Sequence, residues 1–83
     1  MSESAPDVTG LVEYIAKSLV DAPDQVVVNA VDEGDATVVE LEVAESDMGK
    51  IIGRQGRVVR AMRNLLDAVS DRFDQDFELE ILE

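Results

Sequence analysis

The sequence predicts a small α+β domain in which helices pack on one face of a three-stranded mixed sheet. Apolar residues recur at helical spacing in two long segments, and three shorter segments are β-branched or alternate between apolar and polar residues. The predicted order is therefore helix, strand, strand, helix, helix, strand. A Gly-containing turn at 32–35 makes the first two strands antiparallel, whereas the two helices before the last strand permit a parallel pairing.

The first helix is predicted to begin after Asp7, which follows Pro6 and can serve as the N-cap. Pro23 disfavours a helical conformation at Ala22 and so ends the helix at about that point. Tyr14 is expected to be partly buried with its hydroxyl in water. Residues 1–7 are expected to be a flexible acidic tail, and residues 8–83 a single domain. One apolar stripe is predicted to face the core: Val8, Leu11, Val12, Ile15, Ala16, Leu19 and Val20.

Two strands are predicted on either side of the turn and a third at the end of the chain. Residues 25–31 are rich in valine, which favours a strand. Residues 37–44 alternate, so that Val39 and Leu41 face the core while Glu40 faces water. Residues 77–82 alternate in the same way and are predicted to form a half-buried strand.

The middle of the chain is predicted to hold two helices joined at Gly53–Gly56. The first covers roughly residues 47–52, with Ser46 and Asp47 as its cap and the pair Ile51 and Ile52 as its buried anchors. The second runs from Arg57 to about Arg72. Its predicted apolar stripe is Val58, Met62, Leu65, Leu66, Val69 and Phe73. A separate face carries Arg57, Arg60, Arg63 and Asn64.

The distribution of charge makes the joint between these helices a candidate anion site. The net charge is -12, yet five of the seven basic residues lie between positions 50 and 63, where no acid occurs. The glycines permit a sharp turn and close approach, and Arg54 and Gln55 place long donors at the turn. The following helix adds free backbone N–H groups and the positive end of its dipole, so phosphate is the expected guest. The alternative is that these arginines only solvate an exposed helix.

The composition argues against several other functions. The chain contains no cysteine and no histidine, so neither a disulfide framework nor a thiolate metal site is expected, and no cofactor is predicted. Catalysis would have to use carboxylates, lysine or hydroxyls, and the glycines lack the order of a phosphate-binding P-loop, so no enzyme is expected. No apolar run approaches a membrane span and the N-terminus does not look like a signal peptide, which makes the cytoplasm the expected location. No small-molecule substrate is predicted.

The segment Ile51-Ile52-Gly53-Arg54-Gln55-Gly56-Arg57-Val58-Val59 resembles the I-G-x-x-G-x-x-hydrophobic motif of KH domains. The predicted element order resembles the type II, prokaryotic KH topology. The first helix followed by Pro23, together with the length of 83 residues, is similar to the small bacterial single-KH proteins of the KhpA type. The resemblance covers about residues 8 to 83.

This resemblance implies binding of single-stranded RNA, with the G-x-x-G loop clamping the backbone of about four nucleotides. It implies the role of a post-transcriptional regulator or RNA chaperone that works as a homodimer or with a second KH protein. Carried over by position, Gly53 and Gly56 allow close approach, and Arg54 and Gln55 contact phosphate. Ile51, Ile52 and Val58 support the loop from below. By physical argument the phosphate track extends to Lys50, Arg57 and Arg60.

The acidity of the remaining chain leaves alternatives open. Asp74, Asp76, Glu78 and Glu80 could lie near the RNA groove and oppose RNA. They could instead face away, reflect adaptation to high salt, or mark a KH scaffold that has become an acidic protein-interaction module. Single-stranded DNA also stays open as a ligand, because nothing in the sequence reads the 2′-hydroxyl.

Overall fold

A computed structural model describes residues 7–83 and confirms the predicted order of helices and strands. Short 3-10 turns at Pro23–Gln25, Glu45–Asp47 and Arg54–Gly56 precede β1, α2 and α3. The elements are α1 (Val8–Leu19), β1 (Val27–Asp32), β2 (Thr37–Glu42), α2 (Met48–Ile52), α3 (Arg57–Phe73) and β3 (Phe77–Ile81).

The sheet is mixed, as predicted, with β2 in the centre. β1 pairs with β2 antiparallel, placing Val31 opposite Val38, and β3 pairs with β2 parallel, placing Ile81 beside Leu41. α1 packs over β1 and β2, and α3 packs against β3. The α+β class with helices on one face of the sheet is therefore confirmed.

The core lies between that face and the helices. Ile51 of α2 is fully buried there and anchors the short helix that carries the glycine joint. The other buried apolar residues are Val8, Val12, Ala16, Val26, Val39, Leu41, Val43, Val59, Met62, Leu66, Phe77 and Leu79.

α1 begins as predicted, because the Asp7 side chain accepts a hydrogen bond of 2.9 Å from the Gly10 N–H. The remainder of the predicted acidic tail, residues 1–6, lies outside the described residues.

The expectation for Tyr14 was wrong. Its side chain is 74% exposed, because it lies on the solvent side of α1, away from the buried row of Val8, Val12 and Ala16.

Three strand and helix boundaries differ from the prediction. β1 starts at Val27 rather than residue 25, because the chain makes a 3-10 turn after Pro23. β2 ends at Glu42 and not at residue 44, and α3 extends to Phe73.

The predicted apolar stripe of α3 was partly wrong in phase. Val59, Met62 and Leu66 form the buried row at i, i+3 and i+7. Leu65 is 47% exposed, and Val58 is only half-buried, with its Cγ2 close to Gly53 of the joint. Phe73 is half-buried next to the guanidinium of Arg72, which lies 5.2 Å from the ring centroid.

Among the helices of the described residues, none has the length and apolar character that a membrane span requires.

Candidate nucleic-acid interface

The joint between α2 and α3 is a tight turn built from three residues with positive φ. Gly53 has φ 78° and ψ 170°, Gln55 has φ 58°, and Gly56 has φ 73°. The Gly56 N–H donates to the Gly53 carbonyl, and the Arg57 N–H donates to the Arg54 carbonyl. The turn is thus held by its own backbone, and the non-glycine Gln55 stores the mild strain that often marks a ligand clamp.

The two glycines are needed for different reasons. The backbone angles of Gly53 lie in a region open essentially to glycine alone, and a methyl group there would lie 2.5 Å from Val58 Cγ2 and 2.8 Å from the Val58 N atom. At Gly56 the nearest atom to such a methyl is the Arg60 Nη2 at 4.0 Å, so space is not limiting there. Glycine is favoured at Gly56 because the backbone is left-handed. Gly53 therefore fixes how closely the start of α3 packs against the turn.

The apolar residues around the turn support it from below. Ile51 is fully buried, whereas Ile52 and Val58 are half-buried and pack against the core. Arg54 and Gln55 are exposed at the tip. The structure therefore places the predicted supporting residues beneath this turn and the predicted donors, Arg54 and Gln55, at its exposed tip.

The N-terminus of α3 opens at this turn without a side-chain cap. Its N-cap residue is Gly56, which has no side chain to accept the first N–H groups, and its first turn contains no acid. Arg57 and Arg60 are exposed in that first turn, and the Arg60 Nη2 donates to the Gln55 carbonyl at 3.3 Å. Within residues 7–83, Arg54, Arg57 and Arg60 form no ion pair with a carboxylate. An anion placed here would meet uncompensated positive charge.

Lys50, the remaining predicted cation, has a different environment. Its Nζ lies 3.1 Å from Asp21 Oδ2 and 3.7 Å from Asp47 Oδ1. The hydrogen bond and charge of Asp21, with the charge of Asp47, raise the pKa of Lys50 above 10.5. Lys50 thus connects α2 to Asp21, just after the end of α1. It does not add a further unpaired charge to the arginines at the turn.

Asp47 is the centre of this contact and was predicted wrongly as a cap of α2. Its carboxylate caps no helix; it accepts hydrogen bonds from the Asp21 N–H at 3.1 Å and the Ala22 N–H at 3.0 Å. The residue is 1% exposed. These backbone bonds, with the charge of Lys50, lower the pKa of Asp47 below 3.8 despite its burial. No local pattern could have shown this, because the partners are 25 and 26 residues away in sequence.

The acids that were expected near a groove separate into two groups. Glu78 and Glu80 alternate with the buried Phe77 and Leu79, so they lie on the outer face of the sheet, away from the helices. Asp74 and Asp76 lie in the loop after α3, at the end opposite the turn. Among the described residues, neither group forms an ion pair with Arg54, Arg57 or Arg60.

Comparison with known proteins finds one family, both by a family model and by individual relatives. The family model described as "KhpA/KhpB, KH domain" matches residues 9–81. The RNA-binding protein KhpA of Borreliella burgdorferi is 48% identical over 73 residues, covering 88% of this chain and 89% of that protein. RNA-binding protein KhpA of Caldanaerobacter subterraneus subsp. tengcongensis is 50% identical over 60 residues, covering 72% and 80%. The protein of that name from Chlamydia trachomatis is 44% identical over 70 residues, covering 84% and 90%.

The two glycines should respond differently to alanine. Gly53→Ala combines a forbidden backbone region with a collision against Val58, and we expect it to lower the free energy of unfolding by about 3 kcal/mol or more. Gly56→Ala adds only left-handed strain, about 1–2 kcal/mol. Urea denaturation measures both. Gly49→Ala is the control, since a methyl there meets nothing within 4 Å and should be neutral or slightly stabilising. Equal losses at Gly53 and Gly56 would contradict the proposed packing.

The Asp47 contact should make stability depend on acid. Because the folded-state pKa of Asp47 lies below its ordinary value, its contribution is present above about pH 4 and is lost as pH falls through the folded-state pKa. We expect Asp47→Asn to have a lower urea midpoint than the parent at pH 7, and the difference to shrink as the pH falls below about 4. Lys50 stays charged across this range because its pKa is raised. A difference that is constant with pH would show that the carboxylate charge is not involved.

Proposed function

This chain belongs to the KhpA/KhpB family of KH domains, and from that premise we propose that it is an RNA-binding protein. The name of its relatives supports RNA as the ligand. We propose that residues 8–83 act as one domain and that the strand bound is single-stranded, with its backbone held at Gly53–Gly56.

One observation carries the proposal: the uncapped start of α3 lies beside a rigid turn whose arginines lack carboxylate partners. Gly56 leaves open space in which the sugar-phosphate backbone can approach closely, and Gly53 lets the chain turn tightly against Val58 beside it. Arg54 and Gln55 donate to phosphate from the tip. Arg57 and Arg60 continue the positive track along the first turn of α3, and the helix dipole adds to it.

The order of charges along α3 supports a binding role. A helix is stabilised by acids in its first turn and bases in its last, yet α3 begins with Arg57 and Arg60 and carries Asp67 and Asp71 toward its end. Apart from Arg72 this order opposes the dipole and costs stability. A bound phosphate at the N-terminus would offset that cost, which gives the arrangement a physical purpose.

The contribution of Lys50 is proposed to be indirect. Its ammonium already contacts two carboxylates, so release to a phosphate would leave the buried Asp47 with less compensation. We therefore assign the direct phosphate contacts to Arg54, Gln55, Arg57 and Arg60.

The acidity of the rest of the molecule limits the affinity of one site. Distant acids repel RNA weakly in physiological salt, because charges are screened beyond about 8 Å. The field still favours approach at the turn over approach elsewhere. Two copies joined as a homodimer, or a pair with a second KH protein, would raise the apparent affinity by increasing effective concentration, and we propose such pairing for the role of post-transcriptional regulator or RNA chaperone.

An acidic interaction module is the second candidate, and one observation favours it. On the outer sheet face Glu40 of β2 pairs in register with Glu80 of β3, and Glu42 lies opposite the exposed Val27. Adjacent like charges destabilise a sheet, so a cationic protein surface could relieve them. This face does not include the glycine turn, so the two functions are separable by experiment.

RNA titration tests the proposed clamp. The double variant Arg54→Asp/Gln55→Asp should lose at least tenfold in affinity for a short single-stranded RNA, because two donors become two repelling charges. For the parent, log K against log salt should have a slope of about -2, since three arginine contacts contribute about -0.7 each on a single strand. Arg54→Ala alone should reduce that slope by about 0.7. Fluorescence anisotropy measures both quantities.

Circular dichroism of each variant confirms folding, and single-stranded DNA of the same sequence is titrated in parallel. Lys17→Glu is the charge control, because it changes the net charge by -2, close to the -3 of the double variant, but lies on α1. Failure of the folded parent to bind either nucleic acid at low salt would reject the clamp and favour the interaction module.

Arg57→Glu should separate stability from binding. It places an acid in the first turn of α3 and removes a base, so we expect the free energy of unfolding to rise by about 0.5–1 kcal/mol while RNA affinity falls. Urea denaturation at about 0.15 M salt limits the effect of added net charge. Lys17→Glu makes the same change in charge near the end of α1, removes an ion pair with Glu13, and should lower stability. A destabilised Arg57→Glu protein would show that the first turn of α3 tolerates its arginines without cost.

A further inference from the structure

A cavity of about 290 Å³ lies between α3 and β3, away from the glycine turn. Its volume is just below the range of about 300–1,000 Å³ for small-molecule sites and is enough for one planar base. The buried Leu66, Phe77 and Leu79 give it an apolar floor, and exposed residues form the rim. The lining residues are Arg63, Leu66, Asp67, Phe77, Glu78 and Leu79.

Side chains of α3 follow the free edge of β3. The Arg63 Nη2 donates to the Leu79 carbonyl at 3.4 Å, and Ser70 Oγ accepts from the Phe77 N–H at 3.0 Å. Asp67 lies on the same helix face between them, one turn from Arg63. Glu78 lines the cavity from the strand side, at an exposed position of β3 where alternation turns the side chain away from the buried face. Asp67 is therefore the carboxylate on the helix side of the cavity, next to Arg63.

Arg63 and Asp67 line one cavity without pairing. Their i, i+4 spacing permits an ion pair, yet in residues 7–83 Arg63 contacts no carboxylate within 4.0 Å. Arg63 uses one of its five N–H donors on Leu79, and Asp67 makes no hydrogen bond or ion pair in the described part of the chain. The remaining guanidinium donors of Arg63 and the carboxylate acceptors of Asp67 are thus available at the rim of a cavity with an apolar floor.

We infer that this cavity between α3 and β3 selects guanine, with Arg63 and Asp67 as the specificity-determining residues. The inference rests on the proposed function, since it names the base that the same RNA strand presents. Guanine offers two acceptors, O6 and N7, to a guanidinium, and two donors, N1–H and N2–H₂, to a carboxylate. Cytosine satisfies the pair less completely. Adenine presents one donor and one acceptor on each edge, so the guanidinium and the carboxylate would each be only half satisfied.

The position of the cavity fits a strand held at the turn. Arg63 is six residues after Arg57, or about 9 Å along the helix axis. A clamp of this kind holds about four nucleotides, so a base next to the clamped phosphates can reach the cavity.

The test uses the full chain and eight-nucleotide RNAs made of uridine with one variable central base. We expect the guanine RNA to bind about tenfold more tightly than the adenine RNA. Replacing the guanine by 7-deazaguanine, which lacks the N7 acceptor, or by hypoxanthine, which lacks the N2 amino group, should each weaken binding about fivefold.

Two variants assign the contacts. In Arg63→Met, which has no donor, the penalty for 7-deazaguanine should disappear, and in Asp67→Ala, which has no acceptor, the penalty for hypoxanthine should disappear. Asp71→Ala is the control, because Asp71 lies one turn further along α3 and does not line this cavity, so both penalties should remain. Since all three changes are on the helix surface, folding is checked by circular dichroism.

The outcomes separate this inference from the proposed function. Binding of all RNAs within twofold of one another overturns guanine selection and leaves the clamp intact. A guanine preference that persists in both variants overturns the assignment to Arg63 and Asp67. Absence of binding to every RNA rejects the proposed function itself, and the inference with it.

Discussion

The contact between Gly53 and Val58 is the constraint on which the interface depends. The turn brings the backbone of residue 53 so close to the first turn of α3 that no side chain fits between them. This contact determines where α3 begins relative to α2, and therefore where its uncapped N–H groups point. Because Ile51 is buried in the core beneath, the turn is fixed to the sheet and projects as a rigid feature.

A second contact fixes the other end of α2. The buried carboxylate of Asp47 replaces the missing backbone partners of Asp21 and Ala22, where α1 has ended and Pro23 prevents its continuation. Lys50 compensates the buried charge from the same short helix. A five-residue helix is too short to be stable alone, so its position must come from such tertiary contacts.

Charge is distributed so that one surface of an acidic molecule stays positive. Three of the four arginines of α3 occupy its first half, whereas acids occupy its second half beside Arg72, the loop that follows and the outer face of the sheet. A net charge of -12 therefore says little about the ligand, because a bound phosphate responds to charges within about a screening length. The cavity beside Arg63 lies where these two regions meet. The donors of Arg63 and the acceptors of Asp67 therefore lie within about one helical turn of each other.

The sequence by itself determined the class of fold, the order of the elements and the location of the turn. These follow from local patterns: alternation in the strands, helical spacing in α1 and α3, and glycines at 53 and 56, each of which reports a conformation that neighbouring residues impose. Only the tertiary structure decided which residues these elements bury and pair. The row Val59, Met62 and Leu66, the exposure of Tyr14, the role of Asp47 and the meeting of Arg63 with Leu79 all depend on segments distant in sequence. Helical spacing fixes which residues share a face, but the angle at which that face meets the sheet is set by packing, and no local pattern records it.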